Sequence, residues 1–141
     1  GPVLAGPARL LENSLTIGDA YGKLDASFST SSNNKAIAIR SYVGGEEGES
    51  LVWWMRVKNG VRENLTQPSP LLPEHRKTSV SHTIDGGGFF KSPCMYVDSD
   101  PRVYHIQPED VGWTLKVKYR PVRADKYQGD VCTSKPTLAI S

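Results

Sequence analysis

Three histidines (His75, His82, His105) and two cysteines (Cys94, Cys132) are the side chains here suited to a zinc-like metal. Such sites gather their ligands at short spacings, Cys-x-x-Cys or His-x-x-x-His, and none occurs, so no metal centre is expected. His82 alternates with Val80 and Ile84 and reads as a core or interface histidine. The run Asp85-Gly86-Gly87-Gly88-Phe89-Phe90 lacks the Gly-Lys-Ser/Thr ending of a phosphate loop and reads as a turn or bulge. No Gly-x-Ser-x-Gly elbow is present, and Glu46, Glu47 and Glu49 read as a solvated acidic loop. The expectation is a non-enzyme with no cofactor.

Two further motifs carry weak chemistry. Asn64-Leu65-Thr66 is a glycosylation sequon, and His75-Arg76-Lys77-Thr78-Ser79 has the form of a basophilic kinase site, more simply an exposed loop entering a strand. The stronger feature lies between Gly112 and Arg123. There Leu115, Val117 and Tyr119 alternate with Lys116, Lys118 and Arg120, one face apolar and the other a row of cations without a carboxylate.

The elements that carry these residues are strands. A chain of 141 residues fits one domain, and 38% hydrophobic residues with 23% charged ones is an ordinary globular balance. Leu51–Lys58 alternates and meets Asn59-Gly60, the pair that a type I′ hairpin turn favours. Strands are also expected at Leu15–Gly18, Gly22–Ser29, Thr78–Ile84 and Val131–Ile140, the last interrupted at Pro136. Ser29–Lys35 reads as a flexible loop, and Gln67–Lys77, with three prolines, as a surface loop unable to form an inner strand. No apolar run approaches the ~20 residues of a membrane span. A net charge of +2 does not call for nucleic acid. The pattern predicts an all-β fold, a two-sheet antiparallel β-sandwich of about seven strands. The opening Gly1-Pro2 matches the remnant of a tag-removing protease, so residues 1–9 read as scar and linker and 10–141 as the single domain.

Two segments resemble a known family. Tyr42–Arg56, with Gly44-Gly45, Gly48 and Ser50 leading into a Trp-bearing strand, and Tyr104–Asp130, with Asp110-Val111-Gly112 and the exit Pro121-Val122-Arg123-x-Asp125, are similar to the immunoglobulin-like repeat domain of the auxin-induced-in-root-cultures protein nine family. Those are microtubule-associated proteins of plants, with relatives in protists. Leu15-x-Ile17-Gly18 and Gly22-x-Leu24-x-Ala26 fit the start of the same repeat. The sequence departs from it where Lys126 follows Asp125 and the glycine waits until Gly129. The resemblance implies an immunoglobulin-like sandwich, with Trp53 as the core anchor, and a non-catalytic module of a larger cytoskeletal or scaffold protein, intracellular and microtubule- or cortex-associated.

In such a sandwich the strands bearing Trp53 and Leu115 are neighbours. With Trp53 inward, the outward partner-binding set is Trp54, Arg56, Lys58, Lys116, Lys118 and Arg120. Like charges on adjacent strands repel, so this face calls for an acidic partner or for the Glu46–Glu49 loop. An acidic protein, tubulin tails or another scaffold domain, is the expected partner. Solvated lysines that merely guard the sheet against aggregation are the plain alternative. A different class of reading is an extracellular adhesion or carbohydrate-binding module, with Trp54 as sugar platform, Asn64 glycosylated and Cys94 paired with Cys132.

Overall fold

Strands dominate the structure, a computed structural model that describes residues 6–76 and 99–141. Among the described residues the strands are β1 (Arg9–Leu10), β2 (Thr16–Gly18), β3 (Lys35–Ile39), β4 (Tyr42–Val43), β5 (Leu51–Lys58), β6 (Val61–Asn64), β7 (Ser69–Pro70), β8 (Val103–His105), β9 (Thr114–Arg120) and β10 (Cys132–Thr133). They form a five-stranded sheet ordered β10-β9-β5-β6, with β7 pairing β5 beyond β6, a three-stranded sheet β2-β3-β8, and a two-stranded clip β1-β4, all antiparallel.

The two larger sheets close on one core. Leu115, Val117 and Tyr119 of β9 are fully buried, with Val52 and Trp54 of β5 beside them. Ile17, Ala36, Ala38 and Tyr104 meet them from the three-stranded sheet. The bulky and small members are matched within the three-stranded sheet: Ile17 pairs Ala38 and Ala36 pairs Tyr104, so large side chains stand beside methyl groups. Trp54 stacks on Tyr104 at 5.7 Å between ring centroids, and its indole N–H donates to the Pro101 carbonyl at 3.0 Å. The immunoglobulin-like sandwich expected from the sequence is the fold.

Several local expectations hold. Asn59 (φ 50°) and Gly60 (φ 79°) turn β5 into β6. The proline-rich 67–76 segment contributes only the two-residue edge strand β7 and one 3-10 turn, Pro73–His75. Asp110, 1% exposed, accepts the Gln107 N–H at 2.8 Å and so closes the turn before β9.

Others need correction. Trp54, not Trp53, is the anchor; both alternations along β5 contain apolar residues, and the register with β9 decides between them. Val52 faces Tyr119 and Trp54 faces Val117, and β9 has one apolar face only, so Trp54 turns in and Trp53 out. Gly22–Ser29 forms no strand, only a bridge from Leu24 to Gly18; of Leu24, Ala26 and Phe28, expected on one buried face, Ala26 and Phe28 are buried and Leu24 is exposed. β3, which the sequence did not announce, starts at Lys35, the last residue of the stretch read as a loop, and is the centre of its sheet. The fold also begins before residue 10. Ala8 is buried, Arg9 pairs Val43, and a side chain at Gly44 or Gly129 would collide with the carbonyls of Pro7 and Ala8 at 2.1 and 2.0 Å. Those two glycines let the first strand lie against the body. The strand expected at Thr78–Ile84, together with His82 and Cys94, lies outside the described residues.

Beyond Thr133 the last strand stays beside β9 by an unusual pairing. The Val117 N–H donates to Ser134 Oγ (3.0 Å) and the Leu115 N–H to Thr137 Oγ1 (2.9 Å), so hydroxyls stand in for two ladder carbonyls around Pro136. The return bonds are ordinary: Ser134 N–H to Val117 O, Thr137 N–H to Leu115 O and Ile140 N–H to Trp113 O.

Candidate partner-binding face

Lys116, Lys118 and Arg120 stand on the outer face of the five-stranded sheet, each half-buried, as the alternation of β9 requires. What flanks them follows from the register: Lys116 lies opposite Met55, Lys118 opposite Trp53, and Arg120 opposite Leu51. On the other side Thr133 faces Lys118. The surface is therefore a cationic rail along β9 beside an apolar rail along β5, with the half-exposed Trp53 at its middle.

The six residues expected to form the face separate into two groups. Lys116, Lys118 and Arg120 are together on it; Trp54, Arg56 and Lys58 are not. Trp54 is 1% exposed and available neither to a protein partner nor to a sugar. Arg56 follows the inner parity and closes the end of the core. It donates to Glu63 (2.6 and 2.9 Å), to Asp110 (3.0 Å) and to the Glu109 carbonyl (2.8 Å), and its guanidinium lies 4.2 Å over the Trp113 ring. Lys58, at the exposed end of β5, approaches the same ring at 6.0 Å. The residue missed is Trp53; β9's unambiguous alternation, paired in register, was the signal that would have found it.

Nor does the acidic loop neutralise the rail. Glu47 is turned inward, where one carboxylate oxygen accepts from the Arg40 guanidinium and the other from Tyr119 (2.5 Å) and Ser50 (2.6 Å). Arg40 also donates to the Tyr119 hydroxyl at 2.6 Å. This is a satisfied interior network that ties the loop to β9. Among the described residues no carboxylate pairs with Lys116 or Lys118, while Arg120 donates to the Gly129 carbonyl at 2.8 Å.

The remaining motifs are placed as follows. Asn64 is exposed on β6, and the sequon's Thr66 hydroxyl accepts the Trp54 N–H at 2.9 Å. Cys132 is a free thiol, raised above its ordinary pKa by burial and by Asp130. His75 is buried and its Nδ1 accepts the Leu72 N–H at 3.1 Å. Among the described residues no cluster of His, Cys, Asp and Glu has the makings of a metal site, and no helix is long and apolar enough to cross a membrane.

The sequence matches the family model of the AIR9 A9 domain over residues 29–135, from the loop before β3 through β10. No curated protein and no solved structure matches.

Proposed function

Since the chain belongs to the AIR9 A9 domain family, an immunoglobulin-like and non-catalytic domain type, we propose that it is a protein-interaction module whose outer five-stranded face binds an acidic partner. One observation carries this reading: Lys116 and Lys118 stand in a row with no carboxylate among the described residues, beside an outward tryptophan. Cations at every second position of β9 repel one another with no paired carboxylate among the described residues to offset them, and a large aromatic on the solvent face adds nothing to the core. Tryptophan and arginine are also the side chains that dominate binding energy where proteins meet. The setting is a larger cytoskeletal or scaffold protein inside the cell, with the carboxylate-rich tails of tubulin or another domain of the scaffold as the partner.

Co-sedimentation of the chain with assembled microtubules tests this. Binding is expected to fall as salt rises, because exposed charges are screened within roughly 8 Å at physiological ionic strength, and to vanish in the triple variant K116E/K118E/R120E. Binding that the triple variant retains in full overturns the reading.

A further inference from the structure

The cationic rail does not end at Arg120. Leu51, directly opposite Arg120, also lines a groove of about 540 Å³, together with Gly48, Glu49, Pro70, Arg76 and Lys126. Three segments remote in sequence meet there: the start of β5, the stretch around β7, and the loop after β9. Among the described residues its unpaired positive charge belongs to two side chains, Arg76 and Lys126. Arg123, also on the wall, is already spent, with Nε and one terminal nitrogen on Asp125 (2.8 and 2.9 Å) and the other on the Gly6 carbonyl (2.6 Å). Among the described residues the Arg76 side chain uses only Nε, on the Leu71 carbonyl at 3.2 Å, and Lys126 makes no ion pair. Glu49 is the one carboxylate of the wall among the described residues.

Lys126 carries an independent mark. Four described residues other than glycine have positive φ: Asn13, Asp25, Asn59 and Lys126 (φ 77°). Asparagine and aspartate take that conformation at small cost, and lysine does not. The exposed loop holding Lys126 thus keeps a long cationic side chain where glycine would sit without strain. Strain of this kind collects at functional sites.

Resting on the reading of the face as a partner site, we propose that this groove receives the end of an extended acidic peptide whose preceding carboxylates lie along Lys116, Lys118 and Arg120, with Arg76 and Lys126 holding the terminal ones. Spacing supports the match. Alternate residues of an extended strand lie roughly 6.6 Å apart, so a peptide with glutamate at every second position repeats the interval of the cations on β9. Leu51 and Trp53 then meet the intervening apolar side chains of the same peptide.

Fluorescence polarisation with the whole chain and two labelled peptides of alternating glutamate and leucine, eight and four residues long, tests the proposal. The eight-residue peptide is expected to bind wild type at least several-fold more tightly than the four-residue one. Lys126→Gly and R76Q are expected to remove that advantage while leaving the shorter peptide's affinity unchanged, and Lys126→Gly to raise the melting temperature as the strain is released. The triple variant K116E/K118E/R120E should lose both peptides. If Lys126→Gly and R76Q bind the longer peptide like wild type while the triple variant loses it, the groove assignment falls and the face remains. A triple variant that binds both peptides undiminished removes the face, and the groove assignment with it. Equal competition by inorganic triphosphate for the groove-dependent increment would show a general anion site and overturn the peptide assignment.

Discussion

Asp110 shows how much one side chain organises. Its two oxygens accept from the Tyr104 hydroxyl (2.6 Å), the Gln107 N–H and Arg56, joining β8, the turn before β9, and β5. Tyr119 plays the corresponding part at the other end of β9, between Arg40 and Glu47. Burial raises both phenols above the ordinary value of 10.0; for Tyr104 the hydrogen bond to Asp110 adds to it, and for Tyr119 the charge of Glu47 adds while that of Arg40 opposes. The folded chain therefore keeps two protons that the unfolded chain releases near pH 10. Stability from this source is complete below that pH and declines as pH rises above it, since the native state is then the one that binds more protons. Denaturant midpoints measured from about pH 9 to about pH 11 should fall, and the fall should be shallower in the double variant Y104F/Y119F. Lys126 belongs at this scale too. Its strained backbone left one trace in the sequence, since Lys126 follows Asp125 where the family resemblance has a glycine, the residue that takes a positive φ without cost.

At the level of elements, β5 and β9 define the candidate site, and they differed in how plainly they could be read. β9 has one apolar and one cationic face, and its buried triad Leu115, Val117 and Tyr119 follows from alternation alone. β5 has apolar residues at both parities, Leu51-Trp53-Met55-Val57 against Val52-Trp54, and only pairing resolves it. A slip of one residue exchanges the faces of a strand, so the mistaken parity moved Trp54 onto the surface and took Trp53 off it. β3 escaped notice because Lys35–Ile39 interposes small alanines between isoleucines after a Ser- and Asn-rich run, and central strands buried on both faces do not alternate. The groove was illegible for another reason, being assembled from three distant segments. The two tryptophans should now part company under mutation. Trp54→Ala empties a core position and should cost about 3–5 kcal/mol, read from urea unfolding. Trp53→Ala, on a half-exposed site, should cost under about 1 kcal/mol while weakening microtubule co-sedimentation.

For the whole molecule, the two ends of the described chain lie at opposite poles of β9. Ala8 packs at Gly129, whose N–H donates to Pro121 just past Arg120, whereas Ile140 bonds Trp113 and Gly112, just before Thr114. The seven residues between span roughly 20 Å. The terminal strand runs from the first pole to the second, held to β9 by the two hydroxyl-mediated bonds and their backbone partners. Tension applied between residues 6 and 141 would therefore pull that strand lengthwise along β9. Its hydrogen bonds would be loaded together in shear instead of opening one after another. Single-molecule stretching from these two points should show a high rupture force, and the double variant S134A/T137A, which deletes both hydroxyl bridges, should lower it. The substituted ladder around Pro136 thus doubles as a mechanical clasp, and the path of the last strand along β9 sets the direction in which the domain resists being pulled apart.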